Sequence, residues 1–269
     1  MSSIGVARLK EDALRQVLRI HSPLVVAYSG GVDSAFLLAI AGELLGDKCL
    51  GVIADSPSLP RQSLSDALDL ATLIGARVQI VQTGEMDDPN YASNPSNRCY
   101  FCKAELFTKL DGLARERGFR AIAYGENADD ALQVRPGRRA AAEFKVLAPL
   151  KEVGLTKAEI RVLSRQRRLP TADAPAQPCL SSRIPHGTPV TTHALGMIEM
   201  AEALVRRHGF RIFRVRHHEE GDRRLARLEI SPNEMSRLPG IEEILLAQVR
   251  EIGYDEASIV PGGYRGPSA

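Results

Sequence analysis

Three groups of residues in this chain have types and spacings that can do chemistry. The first lies in "VVAYSGGVDSAFLLAIAGELLG", from Val25 to Gly46, where an apolar run meets Ser29-Gly30-Gly31-Val32-Asp33-Ser34 and then an apolar helical stretch. Gly30 and Gly31 let the backbone turn sharply and bring its N–H groups close to a ligand. The helix that follows points its positive end and unpaired N–H groups at the same place. The hydroxyls of Ser29 and Ser34 add donors, so the stretch reads as an anion site. Asp33 is a poor neighbour for phosphate unless it caps the helix or holds Mg²⁺, and one of those two roles is expected of it. No Gly-Lys-Ser/Thr follows, which excludes a Walker A loop, and no G-x-G-x-x-G is present. The bland alternative is a glycine-rich strand-to-helix turn with a polar cap.

The second group is sulfur. "NPSNRCYFCKAELF" places Cys99 and Cys102 at the start of a helix, where the helix end, Arg98 and Lys103 favour thiolate over thiol. Cys179 lies in "QPCLSSRIPHG", an irregular stretch, and Arg183 follows it as a source of positive charge for a thiolate or a phosphate. Cys49 opens an apolar strand and reads as a buried small hydrophobe. Cys99, Cys102 and Cys179 fit an iron–sulfur cluster with one iron left open. A zinc site would need a fourth ligand, with His186 nearest, and a redox disulfide ranks third. The third group is basic. Arg214 and Arg216 alternate along a strand and so point to one face, either as an anion site or as a solvated basic edge. His217 and His218 are adjacent on that strand, face opposite sides, and are not expected to grip one metal.

These residues need a scaffold. Helical spacing is expected over residues 7–20, then strands at 24–28, 49–55, 77–83 and 119–125. Helices over 33–45, 63–75 and 103–118 separate them. Strands that are apolar throughout and alternate with helices predict an α/β fold with a doubly wound parallel sheet. After a helix stopped by Pro170, residues 171–192 read as a long functional loop. Helices near 194–208 and 240–252 and strands near 211–217, 224–230 and 256–260 then predict a smaller carboxy-terminal α+β domain. The expected division is 1–175 and 176–269. The 269 residues are 44% hydrophobic and 25% charged, enough for such a core. The net charge of +2 is too small to imply a general polyanion binder. Neither a signal peptide nor a bilayer-spanning run is seen, so the expected setting is the cytoplasm. The four cysteines are unlike a secreted disulfide scaffold.

The glycine loop resembles the pyrophosphate loop of the PP-loop ATP pyrophosphatases, which hold the β- and γ-phosphates while a substrate oxygen attacks the α-phosphorus. "GVIADSP", with Asp55, resembles the strand end where that group recognises adenosine. "AYGENADD", with Asn127, Asp129 and Asp130, resembles its later Gly-x-Asn-x-Asp-Asp segment, where the acids carry Mg²⁺ or steady the loop. Taken with "NPSNRCYFCK", "VRPG", "CLSSRIPHGTPVT", "GFRIFRVRHH" and "GGYRG", the likeness narrows to the LarE family of ATP-dependent sulfur transferases and runs nearly end to end. It implies adenylylation of a pyridinium-3,5-dicarboxylate mononucleotide by ATP and conversion of the carboxylate to a thiocarboxylate, for a nickel-pincer nucleotide cofactor. Arg214 and Arg216 match residues near the substrate phosphate, and Glu202 matches an acidic residue near the reactive cysteine. One branch of the family sacrifices the cysteine matching Cys179. The branch carrying a further C-x-x-C uses a 4Fe-4S cluster, which Cys99, Cys102 and Cys179 would hold here. The resemblance also implies sulfide or a sulfur-donor protein as a partner, and a homo-oligomer. "PGGYRG" reads as a turn that can pack at a subunit interface.

The rival readings are a PP-loop tRNA thiolase, an amide-forming ligase of the NAD synthetase kind, and an ATP sensor without turnover. The first should add a basic, aromatic RNA surface. Aromatics are only 5% and tryptophan is absent, so no nucleic-acid partner is expected.

Overall fold

The computed structural model describes residues 3–132 and 136–264. They form two compact units: residues 1–85 with 97–177, and residues 86–96 with 178–269. The segment 86–96, given to the first domain by the sequence reading, clusters with the second unit.

The first unit opens with α1 (Ser3–Ile20), β1 (Leu24–Ala27), α2 (Val32–Leu45), β2 (Cys49–Asp55), α3 (Arg61–Leu73) and β3 (Val78–Gln82). A short helix α4 (Pro89–Ala92) lies in the segment that clusters with the second unit. The first unit then resumes with α5 (Arg98–Arg117), β4 (Ala121–Tyr124), α6 (Gly137–Glu143), α7 (Pro149–Glu152) and α8 (Lys157–Gln166). Its four strands lie in the order β3-β2-β1-β4, and every pairing is parallel. Alternate residues of β1 explain why its apolar run is unbroken. Leu24 and Val26 join the core built with α1, α2, α3 and α8. Val25 joins the opposite core, with Phe107 and Leu110 of α5 and Ala140 and Ala141 of α6. Both faces are covered, as a parallel sheet requires. Because β1 pairs with β2 on one side and β4 on the other, the chain reverses its direction of winding at the carboxyl end of β1. That is the place where open α/β sheets leave a crevice for ligands.

Helix α5 begins at Arg98, ahead of the Lys103 expected from sequence. Tyr100 donates to Glu143 of α6 at 2.7 Å, a tertiary contact that local pattern does not reveal. Cys99 and Cys102 therefore both lie within the first turns of a helix.

The second unit contains α9 (Thr192–Arg207), β5 (Phe213–Glu220), β6 (Arg223–Ile230), α10 (Glu242–Glu251) and β7 (Glu256–Ile259). Its sheet runs β5-β6-β7, with β5 antiparallel and β7 parallel to β6. Phe213 and Val215 face a core with Ala201 and Val205 of α9 and Leu245 and Val249 of α10. His217 is fully buried on the same face, with Nδ1 at 3.2 Å from the Tyr254 hydroxyl. Burial holds its pKa below the ordinary imidazole value, against the opposing pull of Glu219. Among the described residues, no helix is long and apolar enough to cross a membrane.

A buried imidazole with a lowered pKa supports the fold fully above its unfolded pKa, about 6.5, and loses that support as pH falls toward the folded value. The thermal midpoint should therefore drop between about pH 7 and pH 5. His217→Gln should flatten that dependence, as measured by calorimetry across the range.

Candidate active site

In the first unit, the loop after β1 is shaped by two close approaches. Gly30 has φ +75°, and a Cβ there would lie 2.8 Å from the Cβ of Ala67. Gly125, just past β4, approaches so closely that a Cβ would lie 2.7 Å from the backbone N of Ser34. Ser34 stitches the loop to its helix: its hydroxyl accepts from Ser29 N at 3.2 Å and donates to the Gly31 carbonyl at 3.1 Å. The Ser29 and Ser34 hydroxyls are 3.1 Å apart. Ser29 and Gly31 are exposed, so the loop ahead of α2 opens to solvent, while Val32, Ser34 and Ala35 in the first turn are buried.

Asp33 does not cap α2, whose N-cap residue Gly31 receives no side-chain cap bond. Instead its Oδ2 accepts from Lys157 Nζ at 2.6 Å. Its Oδ1 is buried with no hydrogen-bond partner. A bare, hard carboxylate oxygen beside an anion loop fits Mg²⁺, which is held by one or two carboxylates together with phosphates. Asn127, 3% exposed, ties the turn after β4. Its Oδ1 accepts from the N–H groups of Asp129 and Asp130 at 2.9 and 3.2 Å, and Asp130 Oδ2 accepts from Asn127 N at 3.2 Å. Asp129 Oδ2 accepts from the backbone N of Lys157 at 2.7 Å. The acids here steady a turn. Asp55, at the end of β2, is an ion-pair partner of Arg61 at 2.5 Å and accepts from Gln82 at 2.9 Å. The Arg61 hydrogen bond holds its carboxyl below the ordinary range.

Two residues escaped the sequence reading. Lys157 sits in a capping box with Thr156 and Glu159, and that T-x-x-E spacing is visible in sequence. Its partnership with Asp33 across the chain is not. Glu126 is buried between Arg138 Nε at 2.7 Å and Lys151 Nζ at 3.4 Å, and accepts from the Tyr124 hydroxyl. Cys99 is exposed and Cys102 half-buried, three positions apart on one helical face. Arg98 is buried rather than flanking them in solvent, and Lys103 Nζ lies 4.7 Å over the Tyr124 ring. Cys49 is buried, which pushes its thiol up to about 12.

In the second unit, the expected residues converge. Arg183 pairs with Glu202 through two bonds, Nε–Oε1 at 2.8 Å and Nη2–Oε2 at 3.0 Å. Their side chains are 3% and 6% exposed. Arg183 Nη1 donates to the Pro178 and Cys179 carbonyls at 2.6 and 2.9 Å and to the Ser182 hydroxyl at 2.9 Å. The expected catalytic cation is thus turned onto its own loop, where it fixes the backbone around half-buried Cys179. Glu202 also accepts from Val215 N at 3.2 Å, joining α9 to β5. Arg216 donates to the Ser182 carbonyl at 2.8 Å and to Glu229 at 3.0 Å. Arg214 and Arg216 share the half-buried face of β5, and burial lowers the Arg214 pKa. Arg214 lies 4.7 Å over the Tyr264 ring. The Tyr264 backbone bonds to Ile230 O at 3.0 Å, so this part of "PGGYRG" packs on its own sheet. Arg265 and Gly266 of that motif, like Val134 and Arg135 of "VRPG", lie outside the described residues.

No three His, Cys, Asp or Glu side chains among the described residues are grouped to hold a metal ion. Cys99 and Cys102 belong to the first unit and Cys179 to the second. Thiols are donors of the type that binds iron–sulfur clusters, and of these three the first unit supplies two and the second unit one.

The NAD synthase family description matches residues 7–130, a span that contains the glycine loop and the Asn127 turn. An uncharacterized protein of Synechocystis is 40% identical over 240 residues, 89% of this chain and 87% of that protein. The pyridinium-3,5-bisthiocarboxylic acid mononucleotide synthase of Lactiplantibacillus plantarum is 28% identical over 257 residues, 95% of this chain and 92% of that one. The chain carries an NAD synthase-family domain of PP-loop type and is similar to LarE along nearly its whole length. It is an ATP-using enzyme of PP-loop type. An uncharacterized protein of Methanocaldococcus jannaschii is 24% identical over 239 residues, 89% of each chain.

Two substitutions test this geometry. Gly30→Ala adds a Cβ where φ is positive and space is filled, a strain of about 1–3 kcal/mol, and should weaken ATP binding by calorimetric titration. Glu202→Gln strands the Arg183 charge in the interior, and chemical denaturation should show a loss of about 3–5 kcal/mol.

Proposed function

We propose that this enzyme is an ATP-dependent sulfur transferase that makes a thiocarboxylate from a pyridinium-3,5-dicarboxylate mononucleotide, for a nickel-pincer nucleotide cofactor. In the first unit, Ser29, Gly30, Gly31 and Ser34 bind the β- and γ-phosphates of ATP, and Asp33 holds Mg²⁺. Asp55, Asn127 and Asp130 shape the nucleotide site around them. A substrate carboxylate oxygen attacks the α-phosphorus, the bond to the β-phosphate bridge breaks, and pyrophosphate leaves. This step matters because oxide is a poor leaving group from a carboxylate, whereas AMP is a good one. A sulfur nucleophile then adds to the acyl carbon, the carbon–oxygen bond to AMP breaks, and the thiocarboxylate and AMP remain. With hydrosulfide as the nucleophile, one proton is released and no oxidant is needed. A second round gives the bisthiocarboxylate.

Arg214 and Arg216 bind the mononucleotide phosphate, and Arg183 with Glu202 holds Cys179 in place beside them. The observation that carries this reading is the hydrogen bond from Arg216 to the Ser182 carbonyl at 2.8 Å. It joins the phosphate-type arginines to the Cys179 loop within one unit. The named activity of the Lactiplantibacillus relative, aligned over 95% of this chain, supports the same substrate. Cys99, Cys102 and Cys179 would hold a 4Fe-4S cluster whose open iron supplies a site for an extra sulfide. Sulfide itself or a sulfur-donor protein would replenish the sulfur. The enzyme is further proposed to work as a homo-oligomer in the cytoplasm, without nucleic acid.

The test is anaerobic reconstitution with iron and sulfide, then ATP and the pyridinium dicarboxylate mononucleotide, with mass spectrometry of product and protein. The expected result is sulfur on the product and an unaltered Cys179. Loss of H₂S from the Cys179 peptide would replace cluster delivery by sacrifice of that cysteine. Cys99→Ala should keep substrate-dependent pyrophosphate release and lose sulfur transfer. Full sulfur transfer in that variant would remove Cys99 from the mechanism. Pyrophosphate release that no carboxylate stimulates would end the proposal.

A further inference from the structure

The motif "NPSN" before the cysteine pair has no role in the scheme above, yet its first residue is among the most confined in the second unit. Asn94 is 0% exposed and adopts φ 55°. Left-handed backbone favours glycine and tolerates asparagine. Its Nδ2 donates to the carbonyls of Pro185 and Thr188, each at 2.8 Å, and approaches that of Ile184 at 3.4 Å. Its own carbonyl accepts from Gly187 N at 3.0 Å. Two neighbours add to the grip. Ala92 O accepts from Val190 N at 2.8 Å. The hydroxyl of Tyr91, itself 1% exposed, lies 2.7 Å from that of Ser181.

All these bonds fall on one stretch, Ser181 to Val190, which directly follows Cys179. Without the 86–96 strap, the backbone carbonyls of 184–188 would have no partner from this segment. Irregular backbone of that kind wanders unless side chains satisfy it. Arg183 fixes the loop at its Cys179 end through the Pro178 and Cys179 carbonyls. Asn94 fixes it at the far end. Ser96 then runs through Asn97 into α5, so the strap is also the covalent lead-in to Cys99 and Cys102.

We propose that Asn94 is a positioning residue for sulfur delivery at Cys179, acting through the 181–190 loop rather than by touching substrate. The inference rests on the function proposed above. A reacting sulfur displaced by about 1 Å is enough to lower a rate by about a hundredfold, whereas the residues proposed to hold ATP make none of these bonds and the Arg216 bond to Ser182 lies outside the Asn94 contacts.

The test is Asn94→Gly, which keeps the left-handed backbone and deletes the side-chain donors. The three readouts are substrate-dependent pyrophosphate release, thiocarboxylate formation, and the rate at which iodoacetamide alkylates Cys179, followed by peptide mass mapping. The expected outcome is pyrophosphate release within about twofold of wild type, thiocarboxylate formation lower by about tenfold or more, and alkylation several-fold faster. Equal loss of release and sulfur transfer, or no change in sulfur transfer and alkylation, overturns the inference. Should Asn94→Gly fail to fold, Tyr91→Phe removes the Ser181 contact alone and should shift the same readouts in the same direction, with no shift overturning it. Failure of the proposed function reads differently. Wild-type protein would then form no thiocarboxylate, while the alkylation comparison would still decide whether Asn94 holds Cys179.

Discussion

The buried pair of Arg183 and Glu202 is the interaction on which the geometry of the second unit's cysteine loop depends. Two charges removed from water carry a desolvation cost of several kcal/mol each, and only good geometry with further hydrogen bonds offsets it. Both conditions hold here. The guanidinium meets the carboxylate through two bonds and spends its remaining reach on two carbonyls and a hydroxyl of the Cys179 loop. Glu202 uses Oε1 again to accept from Val215 of β5. A single ion pair thus fixes α9, the first strand of the sheet and the cysteine loop together. The register of β5 then decides that Phe213, Val215 and His217 face the core while Arg214 and Arg216 face the loop. An ordinary exposed helix glutamate at Glu202 would leave that arrangement without an anchor.

The first unit solves a different problem, how to present bare N–H groups to an anion without burying them. Reversal of winding beside β1 leaves the carboxyl end of that strand uncovered, and close packing of Gly30 on Ala67 and of Gly125 on Ser34 brings backbone where side chains would otherwise stand. Lys157 neutralises one oxygen of Asp33 and leaves the other for a cation. The acidic residue in the phosphate loop, awkward on charge grounds alone, is therefore balanced from a helix far along the sequence.

Much of this was legible beforehand where it depends on local pattern. The strand Cys49–Asp55 was expected at the residues where it forms, because its run is apolar throughout and bounded by turn formers. The alternation of Arg214 and Arg216 gave the shared face directly, and the apolar setting of Cys49 gave its burial. Readings that needed a partner fared less well. Arg183 reads as a cation for a thiolate or phosphate, and the sequence does not reveal that it pairs with Glu202 and holds its own loop. Of the two roles the sequence allows Asp33, it does not take the cap, and its unpartnered Oδ1 suits the other, a cation. The span 103–118 omits the first turn of α5, which leans on Glu143 of another helix, although the thiol pair does stand at a helix start as expected. The 86–96 strap looked like part of the first domain because chain order suggested nothing else.

By itself, then, the sequence determined the periodicities, the glycine positions and the spacing of the thiols, all of which act over a few residues through backbone sterics and side-chain direction. Tertiary structure alone decided which charge meets which. Lys157 finds Asp33, Glu126 gathers Arg138 and Lys151, and Asn94 takes the carbonyls beyond Cys179. Those partnerships join residues distant in the chain, and burial makes each polar group find a partner or bear the cost of leaving water.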